Sequence, residues 1–338
     1  MRALNRALLA RQLLLERASM SIEEAVEQVG GLQTQYAPSG YVGLWTRLSG
    51  FERDAFTRAL DERSVIQATL MRVTIHVVSR REYWRYALGV RSARRDQWRR
   101  TFGRATGVGE PELAAAADRL RASLADGPRD VKELGDLAKG FVGTHGLWVD
   151  LVRVPPAGTW ERRRADRLGL AEGWVGPPDA TEAEGLVHLV RAYLRAFGPG
   201  SWGDIASWAG ISVTAAKAAG AGLDLRRFRD EGGRELIDLP DLPLPDPETP
   251  APVRFLPHWD ANLLVHARRA GVLPEPFRPR VFSTKNPFSV GTYLVDGAVA
   301  GAWSLRDGRI VLDPFIDVGA GVRREIEQER EALEAFHA

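Results

Sequence analysis

The chain has 338 residues, of which 44% are hydrophobic and 27% charged, and its formal net charge is +2. This length allows two or three domains with a sizeable core, and the composition is that of an ordinary soluble globular protein. The absence of cysteine excludes disulfides and thiolate metal sites and favours a reducing compartment, and no long apolar run predicts a membrane span.

The first part of the chain is predicted to hold three helices followed by a β-hairpin. Leucines at helical spacing predict a helix over residues 3–17, and a capping box opens a second helix, Ile22 to Val29. A third helix is predicted from Arg53 to Arg63, and the β-branched segment 64–79 predicts a strand pair or one long strand. This order is that of a winged helix.

Two amide side chains stand two residues apart between the second and third of these helices. Gln33 and Gln35 follow an apolar run, and Pro38, Gly40 and Gly43 after them are expected to break the helical pattern. A buried amide must find partners for its donors and acceptors. In one interpretation, one glutamine caps a helix end and the other faces water. In the alternative, the pair forms a functional site.

A second copy of the pattern is predicted in the middle of the chain. Helices are expected over Glu112 to Ala125 and over Asp130 to Lys139, followed by a β-like segment from Leu147 to Val154. Gly158 would then lie at the turn of the hairpin, which is the wing of a winged helix.

The third copy has the clearest signals. Helices are predicted from Gly185 to Ala196, from Ser201 to Trp208 and from Val213 to Ala221, with Ser212 as an N-cap. A hairpin with a two-residue turn at Gly232-Gly233 follows. Three copies in the same order predict tandem winged helices.

The last part of the chain is predicted to be a small β-barrel or antiparallel sheet. Its turns are expected at Asp296-Gly297 and Asp307-Gly308, and a helix from Glu325 to Phe336 closes the chain. The predicted fold class is therefore α+β. The predicted units are winged helices over 1–105, 106–180 and 181–240, a Pro-rich linker over 241–252, and the C-terminal β unit with its helix over 253–338.

Basic residues are clustered although the net charge is small. The stretch from Arg72 to Arg104 contains ten arginines but only two acidic residues, and only four of the 46 basic residues are lysines. Arginine binds phosphate in a bidentate way, although an arginine bias can also reflect genome composition. The candidate phosphate contacts are Arg72, Arg80, Arg81, Arg91, Arg94, Arg95, Arg226, Arg227 and Arg229.

Several common catalytic motifs are absent. The sequence has no GxxxxGK[ST] loop, no HExxH and no GxSxG motif, and its six histidines show no metal-ligand spacing. We therefore predict neither a metal nor another cofactor. His76 is interpreted either as a packed core histidine or as a DNA contact. For Asp260 we prefer a helix N-cap or a salt bridge to a catalytic role.

Five blocks of sequence, in this order, resemble the AlkZ/YcaQ family of bacterial DNA glycosylases, which belongs to a winged-helix DNA-binding superfamily. They are LQTQYAPSGYVGLWTRL, LMRVTIHVVS, FGPGSWGDIASWAGI, RFLPHWDANLL and YLVDGAVAGAW. The resemblance implies three tandem winged helices and a C-terminal β-barrel around a basic concave channel. It also implies that the family's signature, Gln-aliphatic-Gln or Gln-aliphatic-Asp, is Gln33-Thr34-Gln35 in this chain. We call these three residues the triplet.

Two residues depart from the family's pattern. Thr34 is polar where the middle residue is usually apolar, and Val73 stands where glycine is expected in an Arg-Gly-Thr-x-His block. The Gln-x-Gln form points to the AlkZ-like branch. The activity of that branch is excision of bulky alkylated purines and unhooking of interstrand crosslinks made by DNA-alkylating natural products.

The function implied by this resemblance is that of a monofunctional DNA glycosylase in DNA repair or antibiotic self-resistance. Gln33 and Gln35 would orient the attacking water, and His76 with the arginines above would contact double-stranded DNA containing an alkylated purine. We expect a monomer in the cytoplasm, associated with the nucleoid and not with a membrane. The alternative is a winged-helix DNA-binding protein without catalysis, such as a transcription regulator, since helix-turn-helix features alone favour that class.

Overall fold

A computed structural model describes residues 1–103, 107, 109–137, 147–264, 271–282 and 289–338. Helices and antiparallel sheets are mixed along the chain, which confirms the α+β class. The strands of the described residues form a six-stranded, a four-stranded and a two-stranded sheet, each open at both edges. The C-terminal strands are therefore the antiparallel sheet of the prediction and not a closed barrel.

Residues 1–79 form four helices and three strands. The helices are α1 (Arg2–Arg11), α2 (Ile22–Gln28), α3 (Pro38–Trp45) and α4 (Arg53–Asp61), and the strands are β1 (Leu32–Gln33), β2 (Val65–Thr69) and β3 (Ile75–Ser79). A short 3-10 turn, Met71–Val73, joins β2 to β3, so segment 64–79 is a strand pair. The first helix ends before residue 17, and Leu13 beyond it has a positive φ of 56°.

The segment after the triplet is helical, which corrects the expectation that Pro38, Gly40 and Gly43 break the helical pattern. Pro38 occupies the first turn of α3, where a backbone N–H has no helical partner in any case. Gly40 allows α3 to pack closely against Phe56 and Thr34, because a Cβ at this position would lie 2.9 Å from both Phe56 Cε1 and Thr34 Cγ2. Helix α3 therefore packs directly against the middle residue of the triplet.

The central part of the chain adds three helices and three strands among the described residues. They are α5 (Tyr83–Trp98), α6 (Glu110–Leu124), β4 (Arg129–Asp130), β5 (Leu151–Arg153), β6 (Arg167–Leu170) and α7 (Ala171–Val175). The helix predicted from Asp130 is not observed, because Arg129–Asp130 pairs with β6, and a 3-10 turn, Gly135–Leu137, follows it. The end of that predicted helix, at Lys139, lies outside the described residues. Strand β2 also pairs with β5, so the first two hairpins share one sheet of order β1-β3-β2-β5-β6-β4.

The third part contains the predicted helix-turn-helix and hairpin. Its elements are α8 (Glu182–Phe197), α9 (Trp202–Ala209), α10 (Val213–Gly220), β7 (Arg226–Arg229) and β8 (Glu235–Asp238). Gly210 ends α9 in the left-handed conformation, and Ser212 caps α10 as expected. The hairpin turn is longer than the predicted two residues, because the N–H of Asp230 still donates to the carbonyl of Arg234 at 3.0 Å.

The C-terminal part is a four-stranded sheet with a closing helix. Its elements are β9 (Arg254–Leu256), α11 (Arg278–Val281), β10 (Gly291–Val295), β11 (Ala298–Arg306), β12 (Arg309–Pro314) and α12 (Ala320–His337). Both predicted Asp-Gly turns are present, with positive φ at each of their four residues. Residues 241–252 contain no helix or strand.

Close helix packing and two buried ion pairs hold these parts together. Helices α5 and α8 approach so closely that a Cβ on Gly89 would lie 2.6 Å from the carbonyl oxygen of Gly185. Arg11 pairs with Asp238 at 2.7 Å, which joins α1 to the third hairpin, and Arg47 pairs with Asp260 at 2.9 Å. Asp260 also caps a 3-10 turn, so both structural roles expected for it are confirmed.

Candidate active site

The triplet begins directly after a helix that is stopped by two glycines. Gly30 and Gly31 follow the end of α2 with φ of 76° and 83°, and their N–H groups donate back to the carbonyls of Glu27 and Val26. Strand β1 then starts at Leu32 and pairs with β3, with Gln33 opposite His76. The glycines thus turn the chain so that Gln33 enters the edge of the six-stranded sheet.

The side chain of Gln33 is held by Arg72. Arg72 Nη2 donates to Gln33 Oε1 at 2.9 Å, and Arg72 Nη1 donates to the carbonyl oxygen of Trp208 on α9. Burial lowers the pKa of Arg72 to about 10, so the guanidinium is still charged at neutral pH. A guanidinium has only donors, so the amide atom that faces it must be the oxygen. Gln33 Nε2 is therefore turned away from Arg72.

Arg72 lies on a left-handed turn that packs against the helix-turn-helix. Arg72 and the following Val73 have φ of 52° and 59°. A left-handed conformation is unfavourable for a β-branched residue, and Val73 stands where glycine is expected from the resemblance. A Cβ on Gly210, at the end of α9, would lie 3.1 Å from the backbone nitrogen of Arg72. The third part of the chain thus supports the residue that holds Gln33.

Gln35 is exposed, and a backbone donor holds its side chain. The N–H of Ile75, at the start of β3, donates to Gln35 Oε1 at 3.1 Å. A backbone N–H is also a donor only, so the orientation of this amide is fixed in the same way. Within the described residues, neither Gln33 Nε2 nor Gln35 Nε2 donates a hydrogen bond to the protein. Each amide therefore has free donors and a free lone pair on its oxygen.

Thr34 points the other way, into the protein. Its side chain is 1% exposed, and its hydroxyl accepts a hydrogen bond of 3.0 Å from Gln67 Nε2 on β2. Gly158 packs against the same Gln67 side chain, since a Cβ at Gly158 would clash with Gln67 Oε1. A polar middle residue is therefore accommodated by a buried glutamine. Nothing in the sequence indicated this role of Gln67.

His76 lies inside the sheet. Its side chain is 2% exposed, and Nδ1 lies 3.0 Å from the carbonyl oxygen of Thr74. Burial, and then the nearby charge of Arg72, lower the pKa of His76 to about 3, so the ring is neutral at physiological pH. Of the two interpretations considered above, the packed core histidine matches this placement.

The predicted phosphate contacts divide into partly buried and exposed arginines. Arg91 pairs with Asp150 at 2.7 Å, Arg226 pairs with the buried Asp238 at 3.3 Å, and Arg94 and Arg95 donate to backbone carbonyls. The exposed ones are Arg80, which donates to the Val175 carbonyl, Arg81, which pairs with Glu27, Arg227, which pairs with Glu235, and Arg229. None of these bonds joins an arginine of the stretch from Arg72 to Arg104 to Arg226, Arg227 or Arg229.

Arg163 is not among the predicted phosphate contacts, but it lies close to the triplet. It is exposed in the β5–β6 loop, and its Nη1 donates to the hydroxyl of Tyr36 at 3.1 Å. Tyr36 follows Gln35 directly, so this loop reaches the triplet. The run of arginines at 162–164 was the one signal in the sequence.

No three His, Cys, Asp or Glu side chains of the described residues are grouped so that they could hold a metal ion. Within the same residues, no helix is long and apolar enough to cross a membrane.

Comparison with known proteins identifies the family. The sequence matches the family model for DNA glycosylase AlkZ-like proteins over residues 26–336. Among solved structures, the DNA glycosylase AlkZ of Streptomyces sahachiroi has a TM-score of 0.83 at 20% identity, covering 99% of this chain and 96% of that chain. No curated protein matches the sequence. The chain therefore belongs to the AlkZ-like DNA glycosylase family, and its activity is that of a DNA glycosylase.

Proposed function

We propose that the enzyme hydrolyses the N-glycosidic bond of cationic N7-alkylated purines in double-stranded DNA, including bulky adducts and interstrand crosslinks. The observation that carries this proposal is the orientation of the Gln33 and Gln35 amides by two obligate donors, Arg72 and the Ile75 N–H. Neither amide can ionise, so the site suits a reaction that needs no protein acid.

An N7-alkylated purine is a leaving group that needs no acid from the protein. The base already carries a positive charge, so it needs no protonation. When the bond between C1′ and the base nitrogen breaks, its electron pair moves onto the base, which leaves neutral. The sugar becomes an oxocarbenium-like cation. The protein then has to position water and stabilise charge on the sugar, which is electrostatic preorganisation.

Gln33 and Gln35 would position that water. Each amide oxygen uses one lone pair on its fixed donor, which leaves the other to accept a hydrogen from water. The water oxygen then attacks C1′, and its proton passes to solvent. We expect the strand to stay intact, because no lysine stands near the triplet along the sequence to form a Schiff base.

For DNA binding we propose phosphate contacts from the exposed arginines Arg80, Arg81, Arg227 and Arg229. Arg72, Arg91, Arg94, Arg95 and Arg226 would act mainly by supporting the fold, because each is partly buried as well as bonded to protein acceptors. We test this with the salt dependence of DNA affinity in Arg227→Ala/Arg229→Ala. The slope of log K against log salt should fall by about 0.9 for each phosphate that the variant no longer neutralises. An unchanged slope contradicts these contacts.

The division into three winged helices, 1–105, 106–180 and 181–240, before a linker and the unit 253–338, is part of the same proposal. The helices followed by a hairpin in the first and third parts of the chain support it. We further propose a monomer at the nucleoid that acts in alkylation repair or antibiotic self-resistance.

The substrate is tested with purified wild-type enzyme on duplex DNA that carries one 7-methylguanine, with alkali to cut at abasic sites. We expect release of 7-methylguanine and a strand break only after alkali. A second duplex with an N7-linked interstrand crosslink should be separated into single strands. Release from neither duplex contradicts the proposed substrate class, and a break without alkali contradicts the monofunctional mechanism.

A further inference from the structure

The β5–β6 loop touches the triplet and its neighbour Tyr36 from two sides. On the buried side, Gly158 packs against Gln67, whose side chain donates to Thr34 at 3.0 Å. On the exposed side, Arg163 Nη1 donates to the hydroxyl of Tyr36 at 3.1 Å. The mechanism above uses neither contact, although together they fix the position of this loop relative to the triplet.

The backbone of the loop is held around Arg163. The N–H of Gly158 donates to the carbonyl oxygen of Arg162 at 2.8 Å, so the loop folds back on itself. The ring centroid of Trp160 lies 5.4 Å from that of Tyr41, which fastens the loop to α3. Because the loop is already ordered, binding of a ligand by Arg163 does not have to overcome the entropy of ordering it.

Arg163 is the arginine of its run that has no acidic partner among the described residues. Its neighbours Arg162 and Arg164 both pair with Asp166, at 2.9 Å and 3.3 Å. The side chain of Arg163 is exposed, and its polar contact is the uncharged hydroxyl of Tyr36. Its positive charge is therefore available to a ligand.

Arg163 and Tyr36 together offer several free hydrogen-bond donors. A guanidinium has five N–H donors, and the bond to Tyr36 uses one of them. The Tyr36 hydroxyl accepts that bond, and no group in the part of the chain that the structure describes receives its hydrogen. A ligand with a negative charge and several acceptor oxygens would pair with both side chains, and a phosphodiester has both properties.

From these observations we infer that Arg163 and the Tyr36 hydroxyl bind a backbone phosphate of the damaged strand, beside the nucleotide whose base is released. This inference rests on the proposed function. Phosphate contacts fix the register of a protein on DNA. Tyr36 directly follows Gln35, so a phosphate held there places the adjoining sugar at the triplet. Arg163 is thus a positioning residue for the substrate.

A phosphate at Arg163 also removes an electrostatic conflict. The alkylated base is cationic before the bond breaks, and the sugar becomes cationic as it breaks. A guanidinium without a counter-ion beside them would repel both. The negative charge of a bound phosphate largely cancels that repulsion, so Arg163 can bind DNA without opposing the reaction.

The inference is tested by combining Arg163→Gln with removal of single phosphate charges from the DNA. Duplexes with one 7-methylguanine carry a neutral methylphosphonate at one phosphate at a time, at the two nearest positions on each side of the lesion. With wild type, one position should weaken affinity about tenfold, because a hydrogen bond between charged groups is lost. With Arg163→Gln, the same methylphosphonate should cause no further loss, whereas the other positions should behave as they do with wild type.

Two further variants distinguish a phosphate contact from a general effect of charge or folding. Arg164→Gln removes the same charge from the same loop, and it should not couple to any single phosphate, because Arg164 pairs with Asp166. Tyr36→Phe keeps the ring and removes only the hydroxyl, so it should couple to the same phosphate as Arg163→Gln, with a loss of about 2- to 10-fold. Arg163→Gln should also lower the single-turnover rate at saturating enzyme about tenfold, because the sugar is less well placed.

The outcomes separate this inference from the proposed function. If wild type excises 7-methylguanine and each methylphosphonate weakens Arg163→Gln as much as wild type, Arg163 does not bind a phosphate beside the lesion. The inference is then wrong and the proposed function stands. If Arg163→Gln and one methylphosphonate are coupled in affinity but wild type releases no base, the phosphate site stands and the proposed function is contradicted.

Discussion

Arg72 and Gln33 are joined by a hydrogen bond of 2.9 Å in which the guanidinium can only donate and the amide oxygen can only accept. A freely rotating amide would present oxygen or nitrogen to the substrate at random. With Arg72 anchored on the carbonyl of Trp208, the Gln33 amide has one orientation. Arg72 is thus a positioning residue for the triplet, and it connects the helix-turn-helix to the site.

Replacing Arg72 should slow the chemical step more than it weakens DNA binding. We expect Arg72→Met to lower the single-turnover rate of excision by about 10- to 100-fold, because a misplaced group costs up to about 10²-fold in rate. Arg72→Lys should restore part of the rate, since an ammonium can still donate to Gln33. Arg94→Met is the control, because burial also lowers the pKa of Arg94 to about 10 and it donates to the Thr69 carbonyl. Equal losses in both Met variants would contradict the positioning role.

Thr34 and Gln67 should be energetically coupled. Thr34→Val leaves Gln67 Nε2 buried without an acceptor, which should destabilise the fold by about 1–3 kcal/mol. Adding Gln67→Leu removes that donor, so the double variant should regain part of the loss. The free energies of unfolding in a double-mutant cycle measure this coupling, and strictly additive effects would exclude it.

The protein should be more stable with glycine at position 73 than with alanine there. Alanine keeps the Cβ that is unfavourable at φ of 59°, and glycine removes it. Left-handed backbone costs other residues about 1–2 kcal/mol, whereas glycine loses about 0.5–1 kcal/mol relative to alanine in regular structure. We therefore expect Val73→Gly to have the higher free energy of unfolding in urea, by about 1 kcal/mol. The reverse order would show that Val73 is not strained.

Single-turnover excision at saturating enzyme should be independent of pH between about pH 5 and pH 8. The pKa of His76 is lowered to about 3, so the ring is neutral throughout this interval. The pKa of Arg72, at about 10, keeps the guanidinium charged throughout it. The prediction is checked by the rate of 7-methylguanine release across this interval. A bell-shaped profile would indicate a general acid and base that the triplet does not contain.

Local sequence signals predicted much of the fold. The capping box of Ser21 and Glu24, the N-cap Ser212 and the Asp-Gly turns at 296 and 307 depend on neighbouring residues only, and all are observed. The predictions were wrong where contacts between distant segments determine the local structure. Pro38 starts a helix that packs on Phe56, and Arg129–Asp130 pairs as a strand with β6.

The sequence named the residues of the triplet, but it did not indicate their contacts with distant parts of the chain. The triplet was identified from a resemblance, and Val73 was noted as a departure that proves to lie in left-handed backbone. Gln67 bonds to Thr34 of the triplet from 33 residues away along the chain, and Arg163 bonds to Tyr36, beside the triplet, from 127 residues away. No periodicity or motif encodes such long-range pairs, because they depend on how β2 meets β5 in the shared sheet.

The most direct test of the central claim is single-turnover excision of 7-methylguanine from duplex DNA by wild type, Gln33→Ala, Gln35→Ala and the double variant. DNA affinity is measured on the same duplex. We predict a loss of about 10²–10³-fold for each single variant, a double variant whose loss is less than the product, and unchanged affinity. Full excision by the double variant would contradict a catalytic role for the two glutamines.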